Sequence, residues 1–152
     1  MAGHNKTGRS KGNNTGQYIA IPFCVIDSPG YRNTLPIAKA VYVEINRLYN
    51  GHNNGSIAVS SRLVADLLGV HHSTVARSIL QLINSGLIRR SKTSSFSQKR
   101  LASEYRLTHR ACDKTKSAPT NEYKNYNKSM RDRVDATEEK NYSRIGAYYR
   151  RI

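Results

Sequence analysis

The side chains best equipped for non-covalent chemistry lie together between residues 60 and 82. Ser73, Thr74, Arg77, Ser78 and Gln81 share one arc of a helical pattern, with Val75, Ile79 and Leu82 on the other. Apolar residues at i, i+4 and i+7 mark the buried face of a helix and leave the opposite side to solvent. A guanidinium is a rigid fork of donors and a carboxamide offers both donors and an acceptor, so Arg77 and Gln81 suit bidentate bonding to a planar edge. The hydroxyls of Ser73 and Thr74 fall where this helix begins, and free N–H groups at a helix start attract anions. His71 and His72 stand at the same end. A neutral imidazole there can accept helix N–H groups, while a protonated one opposes the dipole but attracts a phosphate.

Those groups need a scaffold, and the flanking sequence supplies its signals. From Pro36, Ile37, Val41, Ile45 and Leu48 recur as the apolar face of a first helix that stops at Asn50-Gly51. Residues 51–55 (GHNNG) form a turn, and Ser56 to Val59 alternate as a short strand does. Ser60 or Ser61 caps a second helix carrying Leu63, Val64, Leu67 and Leu68 and ending at Gly69. Val70-His71 makes the turn to a third helix, His72 to Ser85, closed by Gly86. Leu87 to Lys92 and Ser103 to Thr108 read as two strands joined by a polar turn, with Arg89, Arg90, Lys92, Lys99 and Arg100 along the hairpin. Upstream, Pro22 excludes a regular strand or an unbroken helix through Tyr18–Ile26, which reads as an extended piece turning into a short helix. Ser28-Pro29 reads as an N-cap followed by proline at the first helical position.

Ser61 to Leu82, SRLVADLLGVHHSTVARSILQL, resembles the bacterial helix-turn-helix: Ala65 at the crossing, Gly69 in the turn, and Val64, Leu68, Val70, Val75 and Ile79 as shared core. The continuation GLIRR resembles the first wing strand of winged-helix regulators. The stretch from Pro36 to Thr108 is similar to a group of bacterial winged-helix proteins often carried on mobile elements. The resemblance implies an α+β fold, a winged helix-turn-helix with a three-helix core, a short strand and a two-stranded wing, between flexible basic termini. It implies double-stranded DNA as the partner, with the third helix in the roughly 12 Å major groove. The expected contacts are Ser60, Arg62, His71, His72, Ser73, Thr74, Arg77, Ser78 and Gln81, joined by Arg89, Arg90, Lys92, Lys99 and Arg100 of the wing. Two positions depart from the pattern. His71 stands where Ser or Asn usually caps the helix, and Leu80 stands where a polar residue is common. For Leu80, a contact under the N-terminal segment and a dimer interface are both readings.

The whole chain agrees with a polyanionic partner. Its 152 residues carry 25 Lys and Arg against 10 Asp and Glu, a net charge of +15, and a field of that sign concentrates nucleic acid near the surface. The excess is spread over residues 1–35, 36–108 and 109–152 alike. The division expected is a disordered basic arm over 1–16, the DNA-binding domain over 17–108, and a largely irregular basic, Tyr-rich tail over 109–152, with a marginal helix near 128–140. No apolar run is long enough for a membrane span and the first residues hold no apolar signal core, so the expectation is a cytoplasmic protein. Cys24 and Cys112 are far apart and read as free thiols. The HxxC spacing of His109 and Cys112 lacks the second pair that a zinc site needs. No metal, no cofactor and no enzyme activity is expected, since Asp27, Asp66 and Glu104 fall on different elements and no nucleophile or phosphate-loop motif occurs. The leading expectation is a sequence-specific double-stranded DNA-binding protein acting as a transcriptional regulator. The alternatives are a plasmid or phage replication or maintenance protein that binds origin DNA, and a single-stranded nucleic-acid binder that stacks bases on Tyr123, Tyr126, Tyr142, Tyr148 and Tyr149. A homodimer, and a protein partner engaged through the tail, are further partners this reading allows.

Overall fold

A computed structural model describes residues 18–92 and 102–126. The arm over 1–16, the turn with Lys99 and Arg100, and the helix expected near 128–140 lie outside the described residues. Two single-turn helices, α1 (Phe23–Ile26) and α2 (Pro29–Arg32), precede α3 (Pro36–Arg47). Then come β1 (Ile57–Val59), α4 (Ser61–Leu68), α5 (His72–Asn84), β2 (Ile88–Lys92) and β3 (Ser103–Leu107), and a 3₁₀ turn spans Glu122–Asn125. Among the described residues the arrangement is mixed α+β, with five helices and a three-stranded antiparallel sheet. It is compatible with the expected winged helix.

Local chemistry sets the element ends. The Ser28 hydroxyl accepts from the Tyr31 N–H at 3.2 Å and the Ser60 hydroxyl from the Leu63 N–H at 3.4 Å, so each serine satisfies one of the donors a helix start leaves orphaned. Helix α4 stops at Gly69, whose φ of +63° is left-handed. Helix α3 ends at Arg47, before Asn50-Gly51, because Asn53 turns the chain early. Its Nδ2 donates to the Leu48 carbonyl at 3.0 Å and its Oδ1 accepts from the Asn50 N–H at 3.0 Å.

One core joins helices and sheet. Ala38, Val41, Tyr42 and Ile45 of α3 meet Val64 and Ala65 of α4, Val75, Ile79 and Leu82 of α5, and Ile57, Val59, Ile88, Tyr105 and Leu107 of the sheet. Strand β3 is central, pairing Ile57 with Tyr105 on one side and Ile88 with Leu107 on the other. The short strand at 57–59 thus completes the hairpin sheet instead of standing alone. Leu63 and Leu67, which the periodicity places on the apolar face of α4, are 53% and 55% exposed. The buried positions of this two-turn helix are Val64 and the small Ala65, with Leu68 packed against the core beside them.

The boundary expected at residue 108 is drawn too early, because residues 110–113 and 121–123 are fastened to the same domain. Asn54 is fully buried and ties them in: Nδ2 donates to the carbonyls of Leu107, Arg110 and Ala111, at 3.1, 3.2 and 2.8 Å. Its Oδ1 accepts from the Leu107 N–H at 2.6 Å, and its backbone N–H donates to the Asp113 carboxylate at 2.8 Å. Thr108 bonds through its hydroxyl to the carbonyls of Gly86 and Leu87, and its own carbonyl accepts from the Asn121 N–H. Tyr123 is then 1% exposed. The low apolar content of this stretch hid its packing, since a buried asparagine and one tyrosine anchor it.

Two glycines permit that approach. A Cβ on Gly86 (φ +72°) would stand 2.7 Å from the Glu122 carbonyl carbon and 2.8 Å from the Tyr123 nitrogen, and one on Gly30 2.5 Å from the Ser85 oxygen. Gly51 (φ +98°) faces open space. Gly51→Ala is expected to cost about 1 kcal/mol of left-handed strain, and Gly86→Ala at least about twice that, because backbone must also move. Urea denaturation of the two variants checks the order.

Beside the same segment, the Tyr42 hydroxyl and His109 Nδ1 lie 3.0 Å apart, and His109 Nε2 is buried with no hydrogen-bond partner among the described residues. Burial lowers the His109 pKa to about 4 from 6.5, with the Arg110 charge adding to the effect, and burial raises that of Tyr42. A depressed histidine contributes stability that is present above the unfolded pKa and lost as pH falls toward the folded one, because only the unfolded chain takes up the proton. The urea midpoint should therefore fall between about pH 6.5 and 4, and His109→Gln should flatten that part of the profile.

Candidate nucleic-acid interface

Helix α5 divides into two faces. Val75, Ser78, Ile79 and Leu82 are buried, and His72, Ala76, Arg77 and Leu80 are exposed, with Ser73 and Thr74 half-buried at its start. Ser73, Ala76, Arg77 and Leu80 stand at i, i+3, i+4 and i+7, a continuous outward stripe. The helix carries no Asp or Glu, and its N-terminal N–H groups add positive potential to the same end. Polar donors, one guanidinium and a helix start on one convex surface can accept a phosphate and hydrogen-bond an acceptor edge beside it.

The start of α5 is organised by its two histidines. His71 takes the capping position: Nδ1 accepts from the Ser73 N–H at 3.4 Å and lies 2.8 Å from the Ser73 hydroxyl. The His71 and His72 rings lie with centroids 4.1 Å apart. Thus imidazole supplies the acceptor that Ser or Asn usually provides. Ser60 and Arg62, at the start of α4, are both exposed, and Ser60 is occupied as the cap of that helix.

Two side chains expected on the outward arc of α5 are placed elsewhere. Ser78 is 4% exposed, because it stands three residues after Val75 and four before Leu82 and shares their face. Gln81 is half-buried, and its Oε1 accepts from the Leu35 N–H at 3.2 Å, so its carboxamide braces the start of α3. Ala76 and Leu80 complete the stripe: Leu80, a departure from the helix-turn-helix pattern, lies on the outward side, and Ala76 joins it although it carries no polar group. A strict rotation of about 100° per residue away from Leu82 and Val75 locates both.

Of the expected hairpin contacts, Arg89, Arg90 and Lys92 are described, and they are exposed but unlike one another. Arg89 Nε pairs with the Glu122 carboxylate at 3.3 Å, an association that the expected tail boundary could not reveal. The Arg90 guanidinium lies 5.8 Å from the Tyr105 ring centre, on the opposite face of the sheet as strand alternation requires. Lys92 follows an irregularity in the β2–β3 register. Lys99 and Arg100 lie outside the described residues.

Other candidate chemistry disperses. Tyr123 is buried, its hydroxyl donating to Asn121 Oδ1 at 2.9 Å, and burial raises its pKa to about 12, so it is closed to base stacking. Tyr142, Tyr148 and Tyr149 lie outside the described residues. Cys24 is an exposed free thiol and Cys112 a buried one. Among the described residues no group of three or more His, Cys, Asp or Glu comes together as metal ligands would, and no helix is long and apolar enough to cross a membrane. Comparison with known protein families, curated proteins and solved structures finds no match to this chain.

Proposed function

We propose that this chain is a winged helix-turn-helix protein that binds double-stranded DNA sequence-specifically and acts as a transcriptional regulator. The observation that carries this reading is the outward stripe of α5, free of acidic residues and backed by a buried apolar face on the same helix. The order α3, β1, α4, α5, β2, β3 supports it, since a helix pair followed by a hairpin is the order of a winged helix. The net charge of +15 supports a polyanionic partner. Within this reading Arg77 bonds a guanine edge, the start of α5 receives a phosphate, and Arg90 and Lys92 contact the backbone.

The roles predict different losses. Selection of binding sites from random duplexes at two salt concentrations is expected to enrich one motif. Arg77→Ala should then cost about 1–3 kcal/mol of discrimination at one base pair, whereas Lys92→Ala should weaken all duplexes alike and reduce the salt slope by about 1. Equal affinity for unrelated duplexes at physiological salt, unchanged by Arg77→Ala, would overturn the proposal.

A further inference from the structure

The outward stripe of α5 is apolar at its middle. Ala76 is exposed and Leu80 is 40% exposed, one turn apart and flanked by Ser73 and Arg77. Neither belongs to the core cluster, whose members from the middle of α5 are Val75, Ile79 and Leu82. Apolar surface of this kind gains only when a partner covers it. Charge complementarity selects the partner: the one charged side chain of α5 is a guanidinium, and the helix start adds positive potential beside it. A polyanion fits that surface, and in the major groove of DNA the apolar group on offer is the thymine 5-methyl.

We infer that Ala76 and Leu80 read thymine 5-methyl groups, which makes them specificity determinants at positions next to the base pair that Arg77 contacts. The inference rests on the DNA-reading role proposed above. Ala76 is short enough to let the helix approach the base edges, and Leu80 reaches the same edge one turn further on. A turn advances about 5.4 Å and stacked bases about 3.4 Å, so the two methyls fall within about two base steps of each other. A cytosine at either place lacks the methyl and leaves its amino group against hydrocarbon.

The test uses the full chain and the selected duplex, with deoxyuridine replacing thymidine one position at a time, a change that removes only the methyl. Binding by the unaltered protein is expected to weaken about fourfold at one or two neighbouring thymines, the effect of withdrawing one buried methyl. Ala76→Gly or Leu80→Asn should abolish the sensitivity at its own thymine while Arg77-dependent discrimination remains. Both sites are exposed, so melting temperatures should confirm that the variants stay folded. A selected motif with no uracil-sensitive position, or with sensitivity that persists in both variants, overturns the inference and leaves the DNA-binding proposal standing. Failure to enrich any motif overturns both.

Discussion

The close passage of residues 121–123 between Gly30 and Gly86 is the constraint on which the rest of the structure turns. A side chain at either glycine would collide with backbone, and backbone atoms cannot swing aside as a flexible side chain can. Through this passage Tyr123 is buried, the Thr108 hydroxyl reaches the carbonyls of Gly86 and Leu87, and the α5–β2 turn is fixed. The end of α5 is therefore clamped by chain that arrives after the hairpin is complete. Asn54 performs the matching task at the other side of β3, exchanging its full hydrogen-bonding capacity with residues 107–113. A buried amide with every partner present orders the segments it joins, whereas a partly satisfied one would cost more than an apolar residue.

With its end clamped, α5 has little freedom to rotate. Val75, Ser78, Ile79 and Leu82 are committed inward, His71 caps the start, and Gln81 braces the first residues of α3. What is left outward is set by helical spacing alone. That is why the exposed stripe mixes a guanidinium and a hydroxyl with two apolar residues: selection for folding acts on the inner face and leaves the outer one available for recognition. Rigid presentation also bears on discrimination, since a surface that need not be ordered on binding loses less conformational entropy.

Much of the scaffold was legible in the sequence because its signals are local. Ser28-Pro29, Ser60, Gly69 and Gly86 mark ends through caps and left-handed backbone, and the 3.6-residue periodicity placed Val75, Ile79 and Leu82 in the core. Non-local facts were hidden. Nothing next to Asn54 announces a hub, because its partners lie more than fifty positions away. Tyr123 sits among polar residues and reads as one of the tail tyrosines, and no local signal pairs Glu122 with Arg89 far back in the sequence. Within the candidate site, residue type and position disagree: the Ser78 hydroxyl suggests the groove face although its spacing from Val75 and Leu82 is that of the core, and Ala76 has no polar group although its spacing is outward.

The account's central claim is that the outward stripe of α5 is the surface that meets DNA. Backbone amide shifts of the labelled full chain, followed as the selected duplex is added, test this most directly. The account predicts the largest changes from His72 to Leu80, with smaller ones at Arg90 and Lys92 and almost none at Asn54 or Tyr123. Largest changes on another face, with α5 unmoved, would contradict it.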